Sequence, residues 1–240
     1  MAPVPERGTV IAIHQPNFFP WLGYFDKVIR CDAFVVLDTV QFPKKGGTWI
    51  NRVKVLMNGE ARWVTAPVDR SYHGYKDIAE MRFDERQPWR ENLLNTLVAC
   101  YRRAARFSEA MSILSPLILN PQASIASYNG HAIESLLGVL DVPSSKLRLA
   151  SSMPVAGASN ELLIGLTRQM GGSVYMCGGG ADGYQDDMLF VQAGFTVARQ
   201  NFQHPLYEQF NSTQFVPGLS IIDPLMNVGV NGLKSLLGIV

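Results

Sequence analysis

The N-terminal part of the chain carries the pattern that most restricts its fold. Thr9 to Ile13 (TVIAI) is β-branched and apolar, as a strand buried on both faces is, and Ala33 to Leu37 (AFVVL) repeats the character. Between them Phe25, Val28 and Ile29 recur at helical spacing, which predicts a helix from about Trp21 to Arg30. A strand, loop, helix and strand in this order form a βαβ unit. Such a unit implies a mostly parallel sheet with a right-handed crossover, and so an α/β fold.

The following residues predict a β-hairpin inserted into that pattern. Val53 and Val55 alternate with polar neighbours, Asn58-Gly59 follows, and Arg62 to Val68 makes the return. Asn-Gly suits a type I′ turn, in which both central residues have positive φ. Asp69 to Lys76 is a polar loop. Glu85 to Arg106 is expected to be a helix with Trp89, Leu93, Leu97 and Tyr101 on one face, and Ser108 and Ser124 are expected to cap two more. The segment near 85–140 therefore reads as a helical subdomain within a single domain over residues 1–240. Alternating elements then return: a short strand at Ser145 to Ala150, and a helix from Ser159 to Met170 that stops at Gly171. Next come a strand at Ser173 to Cys177, a glycine-rich turn, a helix from Gln185 to Ala193, and a strand at Phe195 to Ala198.

Composition narrows the classes of function. The 240 residues carry a formal net charge of +1, with the basic side chains scattered, so an extended nucleic-acid face is not expected. The three cysteines, Cys31, Cys100 and Cys177, have no CxxC spacing, which argues against a zinc site or a disulfide framework. His73, His131 and His204 lack the i,i+4 pairing of a zinc helix, so no metal is expected. No apolar run reaches the roughly 20 residues of a membrane span. With no secretory h-region near Met1, a cytoplasmic protein without membrane partners is expected.

Three groups of residues can carry chemistry. Ligands of open α/β sheets bind beyond the carboxyl ends of the strands. His14, Gln15 and the aromatic segment through Trp21 and Tyr24 follow the first strand, and an unperturbed histidine titrates near neutral pH, where acid–base catalysis needs it; the plainer reading is a hydrogen-bonded loop histidine above a core of aromatics. Asp38 ends the second strand and is followed by Gln41, Lys44, Lys45, Asn51 and Arg52. Here Lys44 and Arg52 can hold a phosphate or carboxylate, against the plainer reading of a solvated basic turn. The third is Gly178 to Tyr184 after Cys177. It offers backbone N–H groups to an anion without matching a P-loop or G-x-G-x-x-G, and a flexible turn is the plainer reading.

IHQPNFFPWLGYFDKV, VVLDTVQFPKKG and WINRVKV, then Tyr175-Met176-Cys177-Gly178 with Tyr184, and LSIIDPLMNVG at Leu219 to Gly229, occur in an order that resembles the WbqC-like family over nearly the whole chain. Relatives often have serine where this chain has Cys177, which argues against an essential thiol. The resemblance implies a place in O-antigen or other surface-polysaccharide biosynthesis, and transfer of an aminoacyl (glycine-like) or acyl group onto a sugar or another small amine or alcohol. His14, Asp38 and Lys44 are then the expected catalytic residues. Gln15, Trp21, Tyr24, Gln41, Asn51, Arg52, Gly178 and Tyr184 are expected to bind substrate. The donor stays open between aminoacyl-tRNA, a carrier-protein thioester and an acyl- or aminoacyl-adenylate, and no cofactor is assigned. Asn17 to Phe25 is also similar to the signature turn of HxGH nucleotidyltransferases, with Trp21 and Tyr24 where the histidines would stand. This implies a Rossmann-like domain and, as one alternative, a diverged nucleotidyltransferase-like enzyme, while the two missing histidines argue against ordinary nucleotidyl transfer. A separate, non-enzymatic alternative is a nucleotide- or sugar-binding accessory protein of a biosynthetic pathway without catalysis of its own.

Overall fold

A computed structural model describes residues 8–44, 48–179 and 185–239. The chain divides into two compact units. The first comprises Met1–Gln15, Asp26–Asp38 and Ser145–Phe202; the second comprises Pro16–Phe25, Thr39–Ser144 and Gln203–Val240.

The first unit is built on a five-stranded parallel sheet. Its strands are β1 (Val10–His14), β2 (Ala33–Val36), β5 (Leu147–Leu149), β6 (Val174–Cys177) and β7 (Thr196–Arg199), in the order β5-β2-β1-β6-β7. Counting only the strands of this sheet, that is 3-2-1-4-5, a Rossmann-like order. β1 pairs with β2 through Ile11↔Ala33 to His14↔Val36, and with β6 through Val10↔Val174 to Ala12↔Met176. The apolar, β-branched strands seen in the sequence are those a sheet covered on both faces requires: Ile11, Ala12, Phe34 and Val35 are fully buried. Helix α1 (Leu22–Arg30) follows β1. Helices α5 (Ser159–Gln169) and α6 (Asp187–Gln192) precede β6 and β7. Gly171 and Gly194 take positive φ just past α5 and α6, as the sequence suggests.

The second unit holds an antiparallel hairpin and most of the helices. β3 (Arg52–Met57) and β4 (Glu60–Thr65) turn at Asn58 and Gly59, with φ of 51° and 79° as a type I′ turn demands. The middle segment is helical: α2 (Trp89–Tyr101), α3 (Phe107–Ile118) and α4 (Ile125–Val139). α2 starts later than Glu85 because Pro88 immediately precedes it. Ser124 caps α4, accepting from the Ser127 N–H, whereas α3 starts one residue ahead of Ser108 without a side-chain cap. α7 (Ile222–Leu236), not anticipated from sequence, bends where Gly229 adopts φ 68° and ψ −171°.

Phe18, Phe83, Trp89 and Tyr128 form an aromatic cluster, with Phe18 and Tyr128 stacked at 5.8 Å and Phe83 and Trp89 4.5 Å apart. Fully buried Asn129 on α4 donates from Nδ2 to the carbonyls of Pro16 at 2.9 Å and Ile50 at 2.7 Å, tying the segment after β1 to the approach of β3. A second buried knot centres on Asp223. It accepts from Tyr101 Oη at 2.8 Å, Tyr207 Oη at 2.6 Å and Gln209 Nε2 at 3.2 Å.

Replacing Asn129 by Leu leaves two buried carbonyls without donors. Each such loss costs about 1–3 kcal/mol, so Asn129→Leu is expected to lower unfolding free energy by roughly 2 kcal/mol or more. Urea denaturation measures this directly, and a variant as stable as the parent would contradict the bridging role.

Candidate functional site

In the first unit the sheet's order reverses at β1, which pairs with β2 on one edge and β6 on the other. The carboxyl ends of β1 and β6 thus form a topological switch point, where open α/β sheets bind their ligands. Continuing the register by two residues sets His14 level with Gly178. Lys27, from the same unit's part of α1, comes to this place. A Cβ built on Gly178 would lie 3.4 Å from Lys27 Nζ and 3.6 Å from Gln200 Oε1, ordinary contact distances that place the ammonium group beside the strand end.

His14 retains some surface, but burial of its ring and the charge of Lys27 push its pKa from 6.5 down to about 3. The imidazole is neutral at physiological pH. Its Nδ1 lies 3.0 Å from the carbonyl oxygen of Gln15, which can only accept, so Nδ1 carries the proton and Nε2 the lone pair. Lys27 is 4% exposed and has neither a hydrogen bond nor an ion pair among the described residues, apart from electrostatic coupling to Cys177 and Cys31. Burial lowers its pKa from 10.5 to about 8, so its charge persists at neutral pH in a poorly hydrated setting.

A shell of hydrogen bonds holds the surroundings. Gln200 donates its backbone N–H to the Cys177 carbonyl at 2.9 Å and its side-chain amide to Asp26 at 2.7 Å, and Arg30 donates to the Gln200 carbonyl at 2.6 Å. The buried Cys177 thiol receives a contact from Gln185 Nε2 at 3.5 Å. Among the described residues, no group of three or more His, Cys, Asp and Glu side chains is placed to hold a metal ion. No helix among them is long and apolar enough to cross a membrane.

Of the residues singled out in the sequence, His14, Gln15, Asp38 and Gly178 belong to this unit. Asp38 sits beyond β2, buried, with its carboxylate accepting from Ser151 N at 2.9 Å and Ser151 Oγ at 2.6 Å; this geometry anchors the short turn after β5. Trp21, Tyr24, Gln41, Lys44, Asn51 and Arg52 belong to the second unit, and Tyr184 and Lys45 lie outside the described residues. Trp21 packs on His204, and its indole lies 2.1 Å from where a Cβ on Gly23 would be, which explains the glycine of PW-x-GYF. Tyr24 is core. Gln41 bridges to Asp77, and Lys44 is exposed with its Nζ 4.4 Å from the Tyr75 ring centre. Asn51 is buried and donates to the Ala66 carbonyl at 2.8 Å. Arg52 stacks on Trp63, its guanidinium carbon 3.9 Å from the ring centre.

Lys27 escaped the sequence reading. Phe25, Val28 and Ile29 mark one face of the helix as buried, and Lys27, two residues after Phe25, lies off that face, where a lysine reads as solvated. A buried, unneutralised lysine opposes folding. Because its pKa is depressed in the folded state, the penalty is full below about pH 8 and fades as pH rises toward 10.5. Lys27→Met, of similar volume, is therefore expected to raise unfolding free energy at neutral pH by about 1–3 kcal/mol, with the difference closing at alkaline pH. Urea unfolding at both pH values measures this; a variant destabilised at neutral pH would show that the ammonium group holds the fold together.

Comparison with known proteins places the chain. The uncharacterized protein Rv1507c of Mycobacterium tuberculosis is 28% identical over 222 residues, covering 91% of this chain and 94% of that protein. No solved structure matches. The model of the WbqC-like protein family matches residues 15–235, nearly the whole length, and the chain belongs to that family.

Proposed function

We propose that the switch point of the first unit is a group-transfer centre, moving an aminoacyl or acyl group from an activated donor onto the amine or hydroxyl of a sugar or other small acceptor, in surface-polysaccharide or related biosynthesis. What supports this reading is the place of His14, its Nδ1 turned to the Gln15 carbonyl, and of the buried Lys27 at the carboxyl ends of β1 and β6, with burial lowering the pKa of both. A cation and a proton acceptor in a poorly hydrated site are the two parts that acyl transfer needs.

In the proposed step, Nε2 of His14 takes the proton of the acceptor N–H or O–H as its lone pair attacks the acyl carbonyl carbon. Lys27 stabilises the resulting oxyanion or the anionic leaving group. The carbonyl re-forms, the bond to the leaving group breaks, and the proton on His14 passes to that group. An imidazole of pKa about 3 is a weak base, and part of the depression comes from the Lys27 charge. An anionic donor neutralises that charge, so donor binding raises the basicity of His14 when it is needed. An aminoacyl- or acyl-adenylate supplies such an anion, as does the phosphate backbone of an aminoacyl-tRNA; a carrier-protein thioester supplies one through its phosphopantetheine.

The Rossmann-like strand order favours a second reading, in which the same place binds a nucleotide or nucleotide sugar without turnover. Transfer of labelled amino acid from each donor class to amino-sugar and hydroxyl acceptors separates the two. His14→Ala in a folded variant is expected to lower the rate by about 10²-fold or more. In the parent, kcat/KM is expected to fall as pH rises through about 8, where Lys27 loses its charge. An unchanged rate in His14→Ala excludes the base role, a rise through pH 8 makes Lys27 the proton acceptor instead, and nucleotide binding without transfer supports the accessory reading.

A further inference from the structure

The hairpin of the second unit displays cations in an unusual state. Among the described arginines, Arg52 and Arg90 alone are not exposed. Arg90 is paired with Glu85 and donates to the carbonyls of Asn120 and Gln122. Arg52 has no acceptor among the described residues, and its Nε is buried without a partner. Its flat face rests on Trp63, and the N–H groups, all in the guanidinium plane, are not used by an acceptor among the described residues. Lys54 is two residues along on the same face of β3. Its Nζ is 5.0 Å from the Trp63 ring centre and 5.6 Å from that of Trp49, again with no carboxylate partner among the described residues. Trp49 and Trp63 meet edge to face at 4.7 Å, which fixes the platform. Two cations held on indoles and left without counter-charges form a ready anion site.

A pocket adjoins this strip. Thr65, directly across the ladder from Arg52, also lines a cavity of about 110 Å³. Phe18 and Trp89 give it an aromatic wall, while Thr65, Gln87, Asn92 and Thr96 give it neutral polar groups; no charged side chain lines it. The indole N–H of Trp89, itself 4% exposed, has no acceptor among the described residues. An aromatic wall with amides, hydroxyls and an unused donor suits a neutral fragment rich in hydroxyl groups, and the volume suits one of a few carbons.

We infer that the second unit binds a phosphate ester of a small polyol or sugar, with the phosphate on Arg52 and Lys54 and the hydroxylated part in the Trp89 pocket. This site is independent of the reaction proposed for His14 and Lys27. Isothermal titration and tryptophan fluorescence with inorganic phosphate, glycerol, glycerol 3-phosphate and glucose 1-phosphate test it on the full chain. At least one ester is expected to bind about tenfold or more tighter than inorganic phosphate. Arg52→Gln is expected to weaken that ester by about tenfold or more with the melting temperature unchanged, the loss of one or more charge-assisted hydrogen bonds. Asn92→Leu is expected to reduce ester affinity to that of inorganic phosphate. Should Arg52→Gln unfold, Lys54→Gln reads the same phosphate contact. Failure of every ester to bind, esters no tighter than inorganic phosphate, or ester affinity that survives the loss of the cation each overturn the inference.

Discussion

Parallel pairing of β1 along both its edges is the constraint on which the first unit depends. A strand flanked on two sides and covered on two faces has no place for polar residues until it ends, and Val10–His14 obeys this, becoming polar only at His14. With β2 on one side and β6 on the other, the last residue of β1 falls where successive crossovers diverge. The chain has few options there, and it spends them on an imidazole, a glycine and a buried ammonium group.

The electrostatics of that place run against stability. Lys27 is charged with little water around it, and burial, with that charge added, keeps the imidazole of His14 from protonating. A core optimised for stability alone would carry an apolar side chain at Lys27. Perturbed groups of this kind gather where chemistry is done. Arg52 stands apart on geometry alone: its guanidinium lies on Trp63 without an acceptor among the described residues, whereas Arg90 in the same unit is engaged by a carboxylate and carbonyls. Asp38 and Asn51 are the converse case. Both are buried polar residues whose bonds are made by Ser151 and Ala66, and their environment is that of structural anchors.

What the sequence disclosed depended on the range of the interaction. The first βαβ unit was legible because its strands are short, β-branched and closely spaced, and the hairpin because Asn58-Gly59 demands one backbone geometry. Helix α7 was not: Pro224 falls in its first turn, where its missing N–H is harmless, and Gly229, at φ 68° and ψ −171°, kinks it into two helical segments. His14 was visible as a polar residue ending a strand. Lys27 was not, since its meaning comes from β6, whose Gly178 arrives beside it about 150 residues later in the chain, and no local pattern encodes a strand order. Arg52 was visible as a cation in a polar segment; its stacking on Trp63 depends on the hairpin's register and emerges only from the pairing of Lys54 with Trp63.

The central claim is that burial, reinforced by the charge of Lys27, keeps His14 a neutral proton acceptor with its lone pair on Nε2. Nitrogen-15 NMR of the imidazole, recorded across a pH titration of the parent and of Lys27→Met, addresses it directly. The account predicts a parent ring that stays neutral and protonated at Nδ1 well below its ordinary pKa of 6.5, and a ring in Lys27→Met that takes up its proton at higher pH than the parent. A parent ring that titrates near 6.5, or a pKa indifferent to the loss of the lysine charge, would contradict it.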